Sequence, residues 1–465
     1  MTGTILQSGT IYYACEWLIR ILMLMVIPLR RTPEATRSWL LLIFFLPIPG
    51  LLLYLAIGRP RFPRWRGQRF ETAASILAPR LRPLLCVDAP GEAAMLAAKL
   101  GGFPAVSGNT VELLGDYDGT VDRLVHDIDG ARSHVRLLVY IFADDATGSR
   151  VAAALARAVE RGVAVHVMLD PVGTHRWKKG ALAMLAATGA QVREALPFHW
   201  LRERTRRDMR NHRKLFLIDG KIGYAGSQNI VDKGFRTGVE NRELVARMTG
   251  PAVAEMTAIF LSDWFLETEV MLDDTLTIPA STGNAQAQLL PSGANYPLEG
   301  FQTLLIGQLH RAVRRVVITS PYFIPDESLL EAMRTAVLRG VEVDLIVSAV
   351  VDQPLVSLAQ RSYYDDILRA GIRVHLYRDY LLHAKNVSID GELGIVGSSN
   401  VDLRSFQLNE EVSLLLHDRE SIGALESVQA GYIADSDPLG IEAWRSRPRI
   451  RKIAENIARL VSPLL

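Results

Sequence analysis

The strongest constraint on this chain is an eighteen-residue pattern that occurs twice without gaps. The first copy, HRKLFLIDGKIGYAGSQN, spans 212–229, and the second, HAKNVSIDGELGIVGSSN, spans 383–400. Both match H-x-K-x4-D-x6-G-S-x-N, so six residue types recur at identical spacing. Chance does not produce such a match twice in one chain. The duplication therefore indicates two similar structural units that contribute the same functional groups.

Each copy predicts a β-hairpin. The stretches 215–218 and 387–389 are rich in apolar and β-branched residues, which is typical of strands. Each is followed by Asp-Gly, at 219–220 and 390–391, a strong signal for a two-residue hairpin turn. The returning strand then ends in Gly-Ser-x-Asn.

This geometry predicts a phosphate site. On a strand, residues i and i+2 point to the same face, so each histidine lies beside its lysine, and the returning strand brings an asparagine back near the pair. Neutral imidazole can attack phosphorus, while lysine and amide groups stabilise charge on the equatorial oxygens. The predicted residues are His212, Lys214 and Asn229 in the first copy, and His383, Lys385 and Asn400 in the second.

Other polar residues of the pattern have simpler explanations. We include Asp219 and Asp390 among the candidate catalytic residues, although a place in an Asp-Gly turn is by itself a sufficient reason for them. Ser227 and Ser398 are turn or cap residues on the same argument. The remaining histidines are interpreted as ordinary polar residues: His126, His134, His166, His175, His199, His310, His375 and His417.

The repeat extends beyond the motif and predicts the fold. Each motif is followed by a matching strand start, NREL at 241–244 and NEEV at 409–412. Each is preceded by a strand, a helix that ends in Arg-Gly and another strand, over 135–170 and 314–348. Strands that alternate with short helices predict an α/β fold. We expect two lobes, related by a pseudo-twofold axis, that share one active site.

On these residues the chain resembles the phospholipase D superfamily, whose members carry paired H-x-K-D motifs. The resemblance covers nearly the whole chain, and neither copy departs from the pattern. Three flanking segments make the chain similar to the bacterial cardiolipin synthases in particular: SPYFIPDESL at 320–329, LLHAK at 381–385 and IAENIARLVSPLL at 453–465.

The resemblance implies a reaction. Two phosphatidylglycerol molecules would be joined with release of glycerol, through a covalent phosphatidyl-histidine. We assign His212 as the nucleophile and His383 as the acid/base, because six arginines between 202 and 213 would attract an anionic donor to the first motif. Glu243 and Glu411 are predicted at the substrate site, where a carboxylate can orient an imidazole.

Rival interpretations share the catalytic residues. A hydrolytic phospholipase D, or a transferase that uses another alcohol, would need the same site. A nuclease of the superfamily would need neither an apolar N-terminus nor an amphipathic tail, so we expect no nucleic-acid partner. A membrane scaffold with a relic site is disfavoured because both motifs are intact. The sequence does not determine the oligomeric state.

Composition limits the other possibilities. The 465 residues suffice for two ordinary lobes and a membrane region, and the net charge of +2 excludes a globally basic protein. Two cysteines, Cys15 and Cys86, do not form a disulfide framework. We find no metal-ligand spacing and no glycine-rich nucleotide loop. The motifs themselves supply nucleophile and cations, so we expect no metal or other cofactor.

The N-terminus predicts two membrane segments. Trp39–Ile57 has nineteen residues without a charge, close to the roughly 20 that cross a bilayer, and Pro47, Pro49 and Gly50 predict a kink or an interfacial bend within it. Ile11–Leu29 is also apolar, but it carries Glu16 and Arg20 one helical turn apart, where they could pair. A buried core helix is the alternative for this second segment.

Charge bias predicts the orientation. Arginines are more numerous after the second segment (59, 61, 64, 66 and 69) than between the two segments (30, 31 and 37). By the positive-inside bias, we expect the lobes to face the cytoplasm. Together with the two segments, the resemblance implies a multi-pass protein of the bacterial inner membrane.

The C-terminus predicts a basic amphipathic helix that either contacts an anionic membrane or packs on the protein's own core. Its apolar stripe consists of Ile450, Ile453, Ile457, Leu460, Val461 and Leu464. The predicted map is 1–58 membrane segments, 59–108 a basic connector of irregular structure, 109–270 the first lobe, 286–436 the second lobe, and 437–465 the basic tail.

Overall fold

The computed structural model describes residues 2–31, 33–58, 62–85, 91–197, 208–272, 276–296 and 298–461. Three helices come first: α1 (Thr2–Val26), α2 (Pro33–Phe45) and α3 (Pro47–Ile57). They pack on one another around a small apolar cluster that includes Ile27 and Trp39. These helices therefore have a core of their own, separate from the cores of the lobes.

The kink predicted within Trp39–Ile57 is confirmed. The segment is divided between α2 and α3, and Pro47 occupies the first turn of α3, where its missing N–H costs nothing. The predicted ion pair between Glu16 and Arg20 is also present, at 3.3 Å. Over the residues that the structure describes, no helix has both the length and the apolar character needed to cross a bilayer.

The irregular structure expected for residues 59–108 is wrong. This region forms α4 (Arg64–Leu81), a 3-10 turn (Arg82–Leu85) and α5 (Glu92–Gly101). Both helices pack on the lobes, and buried Arg66 pairs with Glu267 at 2.8 Å. The basic segment 59–108, which the sequence suggested was a connector, is therefore largely part of the folded protein.

The first lobe contains four helices and eight strands within the described residues. In chain order they are β1 (Val106–Leu114), α6 (Tyr117–Asp129), β2 (His134–Val139), α7 (Ala146–Glu160), β3 (Ala164–Leu169), α8 (Lys178–Ala187), β4 (Gln191–Glu194), β5 (Leu215–Ile218), β6 (Ile222–Gly226), β7 (Asn241–Arg242), β8 (Val245–Thr249) and α9 (Val253–Thr268).

The second lobe and the tail follow the same plan with additions. Their elements are β9 (Ala285–Ser292), α10 (Gly300–Arg311), β10 (Arg315–Thr319), β11 (Phe323–Ile324), α11 (Glu327–Leu338), β12 (Glu342–Ser348), α12 (Pro354–Ser362), α13 (Tyr364–Arg369), β13 (Arg373–Tyr377), β14 (Leu381–Leu382), β15 (Asn386–Ile389), β16 (Leu393–Gly397), β17 (Val401–Asp402), α14 (Leu403–Gln407), β18 (Glu411–Leu416), α15 (Arg419–Ala434), β19 (Ser436–Pro438), α16 (Ile441–Arg445) and α17 (Arg449–Val461).

One continuous sheet joins the two lobes. Its strand order is β19-β13-β12-β10-β15-β16-β18-β9-β1-β8-β6-β5-β2-β3-β4. Read outward from the antiparallel β9–β1 pair, the order 9-18-16-15-10-12-13 of one lobe matches 1-8-6-5-2-3-4 of the other. In both lobes the three strands beyond the motif hairpin, β10-β12-β13 and β2-β3-β4, are parallel to one another, and the motif hairpin is antiparallel. The second lobe adds β19, which pairs antiparallel with β13. The predicted α/β fold and its pseudo-twofold arrangement are confirmed.

The motif hairpins form as predicted, with one difference in the turn. Asp219 and Gly220 both have positive φ, 53° and 61°, and the N–H of Lys221 donates to the carbonyl of Ile218 at 2.9 Å. Glycine adopts positive φ at little cost, and aspartate tolerates it better than most residues, which explains Asp-Gly at this point. However, Ile218 pairs with Ile222, so the loop contains three residues rather than two.

Candidate active site

Backbone hydrogen bonds tie each motif histidine to the opposite lobe. The N–H of His212 donates to the carbonyl of Glu410 at 2.8 Å, and the N–H of His383 donates to the carbonyl of Arg242 at 2.7 Å. The short strand β14, just before His383, pairs in parallel with β7 of the first lobe. The backbone next to each histidine is thus hydrogen-bonded to the opposite lobe, and this fixes the two motifs against each other.

The motif histidines and asparagines meet in one pocket of about 340 Å³, and the motif lysines are buried next to it and are not among its lining residues. His212, His383, Asn229 and Asn400 all line it, as the sequence predicted. Its remaining wall is mixed polar and apolar: Tyr140, Ile141, Arg210, Phe235, Arg236, Asn241, Tyr322, Ile324, Gln353, Val356, Asp402, Leu403, Arg404 and Asn409. Among the described residues, no group of three or more His, Cys, Asp or Glu side chains is placed to hold a metal ion.

Each imidazole is held by a glutamate of the other lobe. The Nδ1 atom of His383 lies 2.8 Å from Glu243, and that of His212 lies 3.0 Å from Glu411, all four side chains being buried. A carboxylate at Nδ1 fixes the proton there, so Nε2 carries the lone pair. This is the geometry expected for the predicted orienting role. The substrate contact expected of these glutamates is not found, because both stand behind the imidazoles and neither lines the pocket.

The serine of the second motif holds Glu411. The hydroxyl of Ser398 donates to Glu411 at 2.5 Å, and that of Ser405 does so at 3.0 Å. Burial raises the pKa of the Glu411 carboxyl, but His212, Lys214 and the serine outweigh it, so the net pKa is below the ordinary value. Ser227 instead exchanges hydrogen bonds with the backbone of Leu244, at 3.0 and 3.2 Å, next to Glu243. Interpreting Ser398 as a turn or cap residue was therefore incomplete.

The two motif lysines lie beneath the histidines. Lys214 Nζ donates to the carbonyl of His212 at 2.6 Å, and Lys385 Nζ to that of His383 at 2.5 Å. An ammonium group has three donors, so each lysine retains N–H groups for a substrate oxygen. Burial lowers the pKa of Lys214 to about 7 and that of Lys385 to about 8, and the Lys385 ammonium contributes to the lowered pKa of Lys214.

Burial also lowers the pKa of both histidines. For His383 the pKa falls to about 4, although the charge on Glu243 opposes the shift, and His212 is shifted in the same direction. In the empty site both imidazoles are therefore neutral near pH 7, as a nucleophile must be. An anionic phosphate beside the second imidazole would raise its pKa and allow it to act as an acid.

Asn229 is oriented by the main chain. Its Oδ1 accepts a hydrogen bond from the N–H of Ile141 at 3.0 Å. With the oxygen occupied, the amide NH2 group is directed to other acceptors, which suits a substrate oxygen. The orientation of Asn229 thus fits the predicted role as a donor, whereas no corresponding hydrogen bond holds the Oδ1 atom of Asn400.

The two motif aspartates lie away from the pocket, which corrects their inclusion among the catalytic residues. The carboxylate of Asp219 accepts the backbone N–H groups of Arg132, Ser133 and His134 at 2.8–3.0 Å. Asp390 does the same for Val313, Arg314 and Arg315 at 2.7–2.8 Å. Both carboxylates fasten a hairpin turn to the start of the neighbouring strand.

The arginines before the first histidine are only partly described. Arg210 pairs with Asp170 at 3.4 Å, and Arg213 pairs with Asp263 and Glu410 at 2.6 and 2.8 Å. Arg213 links the two lobes through Glu410, and it does not line the pocket. Arg210 is paired within the first lobe and lines the pocket, so of these two cations only Arg210 can face an anionic substrate there. Arg202, Arg204, Arg206 and Arg207 lie outside the described residues.

Sequence reasoning missed Tyr140, Tyr322 and Arg236, which line the pocket. Tyr140 stands edge-on to His212, with ring centroids 4.7 Å apart, and Tyr322 stands edge-on to His383 at 6.3 Å. Arg236 forms an ion pair with Asp352 at the pocket wall. The sequence did contain a signal for the two tyrosines. Each lies just after the first strand of the strand–helix–strand segment ahead of its motif, in VRLLVYIF and VVITSPYF.

Comparisons with known proteins agree with this site. A family model described as "Cardiolipin synthase, PLD-like domain" matches residues 124–264 and 305–429, and one described as "Phospholipase_D-nuclease N-terminal" matches 17–59. The chain is 33% identical to Cardiolipin synthase A of Pectobacterium carotovorum over 98% of its length and all of that protein. It is 34% identical to Cardiolipin synthase A of Serratia proteamaculans over 94% of both chains.

A solved structure supports the fold. The crystal structure of phosphatidylserine synthase from Haemophilus influenzae superposes with a TM-score of 0.61 at 14% identity, covering 81% of this chain and all of the other. At that identity the likeness concerns architecture alone. The family match covers more than half of this chain, and full-length relatives share a third of its residues. The chain therefore belongs to the cardiolipin synthase family of phospholipase D-like enzymes.

Proposed function

We propose that this protein is a cardiolipin synthase that transfers a phosphatidyl group from one phosphatidylglycerol to a second and releases glycerol. The observation that carries the proposal is the crossed pairing of two histidines with the glutamates of opposite lobes at one pocket. Two buried lysines directly beneath supply the cations that a phosphodiester requires. The names of the full-length relatives favour cardiolipin as the product.

The first half-reaction forms a covalent intermediate. Nε2 of His212 attacks the phosphorus of the donor lipid, and the bond from phosphorus to the glycerol oxygen breaks. Protonated His383 gives its proton to that oxygen, so glycerol leaves as a neutral alcohol. Lys214 and Lys385 stabilise the charge on the non-bridging oxygens. The result is a phosphatidyl group on His212 and a neutral His383.

The second half-reaction reverses these roles. Neutral His383 takes the proton of a glycerol hydroxyl of the second phosphatidylglycerol, and the oxygen attacks phosphorus while the bond to His212 breaks. Cardiolipin leaves, His212 returns to the neutral state and His383 is protonated again. Glu243 supports this because its negative charge stabilises His383 when the imidazole is charged.

Membrane association is part of the proposal. Helix α1 directs large apolar side chains outward, among them Leu18, Leu22 and Met25, each more than half exposed. Surface of this kind on a soluble face would be an aggregation hazard, whereas lipid would cover it. Together with the N-terminal family match, this favours attachment to the bacterial inner membrane through α1–α3, with the lobes on the cytoplasmic side.

Product analysis tests the reaction. Purified full-length protein in phosphatidylglycerol vesicles should yield cardiolipin and glycerol in equal amounts by mass spectrometry. His212→Ala and His383→Ala should each abolish the reaction while remaining folded. Phosphatidic acid as the main product would instead show a hydrolase. Substantial turnover by either histidine variant would contradict a single shared site.

Trapping tests the assignment of the histidines. The His383→Ala variant lacks the acid, so with a nitrophenyl leaving group it should accumulate lipid on His212. Rapid quenching at alkaline pH preserves phosphohistidine for peptide mapping. An adduct on His383 in the His212→Ala variant, with none in the reverse case, would exchange the two roles.

A further inference from the structure

The C-terminal helix α17 carries an apolar stripe on its exposed surface. Ile450, Ile453, Ile457 and Leu460 follow helical spacing and are between 55% and 72% exposed. The sequence left open whether this stripe packs on the core, and in the structure it faces outward. Val461 and Leu464, the other predicted members, lie outside the side chains that the structure describes.

The opposite face of α17 is fixed to the second lobe. Glu455 is only 1% exposed and accepts hydrogen bonds from Arg361 at 3.0 Å and from Arg447 at 2.7 Å. One turn later Ala458 is buried, and Arg459 pairs with Asp366 at 2.9 Å. Rolling the helix to bury its stripe would break the ion pairs of Glu455 with Arg361 and Arg447 and turn the packed Ala458 to solvent. The contacts on the opposite face of α17 therefore hold the apolar stripe outward.

The position of α17 links it to the active site. The helix packs mainly on α12. Val356 of α12 and the preceding Gln353 line the active-site pocket. Nearby Val351 and Leu355 are also apolar and nearly half exposed. One helix thus separates the stripe from the pocket wall.

Charge and size indicate what covers the stripe. Over Arg449–Val461, Arg449, Arg451, Lys452 and Arg459 oppose a single acid, the buried Glu455, so the formal charge is +3. A basic amphipathic helix suits an anionic bilayer surface, into which its apolar face sinks by about 5–10 Å. A stable protein interface instead needs roughly 20–30 residues on each side, far more than four side chains on one helix.

We propose that α17 docks on an anionic lipid bilayer and holds the mouth of the active-site pocket at the level of the phospholipid headgroups. This is a second membrane contact, separate from α1–α3. The docking requires only an anionic bilayer, and its importance for turnover rests on the proposed function. The docking and the turnover are therefore tested by separate measurements.

The first measurement does not depend on catalysis. In the full chain with both native cysteines replaced by serine, Ile457→Cys carries an environment-sensitive fluorophore. The matched control is Leu338→Cys, an apolar residue 86% exposed on α11. With phosphatidylglycerol vesicles, the label at 457 should shift to shorter wavelength and be quenched by bromine on the acyl chains. An unchanged spectrum would overturn the proposal, as would a shift that depends on protein concentration without lipid.

The second measurement concerns turnover. Ile453→Ser with Ile457→Ser removes two apolar anchors from an exposed surface, and Val313→Ser with Leu338→Ser is the matched control. We expect activity on phosphatidylglycerol vesicles to fall on the order of tenfold, with activity on detergent-dispersed lipid within about twofold of wild type. Equal losses on both substrates, or no loss on either, would refute the coupling of docking to turnover. An inactive wild-type protein would refute the proposed function instead, and the fluorescence result would still stand.

Discussion

The glutamate behind His383 offers a sharp test of the catalytic roles. Glu243 is buried, and its carboxylate lies 2.8 Å from Nδ1 of the imidazole. Glu243→Gln keeps the size of the side chain and an acceptor oxygen for Nδ1–H. What it removes is the negative charge that stabilises the imidazolium. If His383 is the acid, the variant should fail at protonating the leaving glycerol.

The expected loss in kcat/KM follows from the strength of the hydrogen bond between Glu243 and His383. A buried hydrogen bond to a charged group contributes about 1.5–3 kcal/mol. At about 1.4 kcal/mol per factor of ten, this corresponds to a loss of about ten- to 150-fold in kcat/KM. Part of the loss will come from Lys385, whose ammonium also depends on the charge of Glu243. The loss that arises through Lys385 should be the same for every phosphodiester substrate.

Two leaving groups separate the contributions. Phosphatidylglycerol releases an alkoxide that needs a proton, whereas a nitrophenyl phosphodiester releases a phenolate that does not. Glu243→Gln should therefore lose at least tenfold more with phosphatidylglycerol than with the nitrophenyl ester. The matched variant Glu411→Gln, which affects the nucleophile His212, should lose similar factors with both. Equal losses for Glu243→Gln on the two substrates would refute His383 as the acid, and a selective loss in Glu411→Gln would reverse the roles.

Three further predictions concern the lysines, the turn aspartates and the N-terminal helices. Because Lys214 and Lys385 bind phosphate only when charged and have pKa values of about 7 and 8, kcat/KM should fall as the pH rises through 7–8; a flat profile to high pH would contradict this role. Asp219→Ala removes the acceptor of three backbone N–H groups and places alanine at positive φ, so the free energy of unfolding should fall by about 2–4 kcal/mol. The midpoint of thermal unfolding should be lower, with kcat of the folded protein unchanged. Lost turnover without lost stability would restore the catalytic interpretation. Deletion of residues 1–58 should leave the lobes folded, as measured by circular dichroism, because α1–α3 have their own core. The deletion should reduce activity on vesicles more than activity on detergent-dispersed lipid. An unfolded product would show that the lobes need these helices.

The sequence predicted those features that rest on local pattern and repetition. The duplicated motif placed both histidines and both asparagines in one pocket, and strand and helix periodicities gave the α/β order. Failures occurred where the outcome depends on distant partners. Nothing local distinguishes Arg66 in a folded helix from an arginine in a solvated connector, since its burial depends on Glu267 in α9. The role of Asp219 likewise depended on three backbone N–H groups more than 80 residues earlier.

The crossed pairing also explains why both lobes must be intact. Glu411 belongs to the second lobe but holds the histidine of the first, and Glu243 does the converse. The backbone supports the same exchange, because Asn211 bridges to Glu410 just before His212, and strand β14 pairs with β7 just before His383. A lobe on its own would carry a histidine without its carboxylate and a buried carboxylate without its histidine. Burying such a carboxylate unpaired is costly, so the arrangement that builds the site also stabilises the joint between the lobes. Catalysis and lobe association therefore depend on the same four side chains.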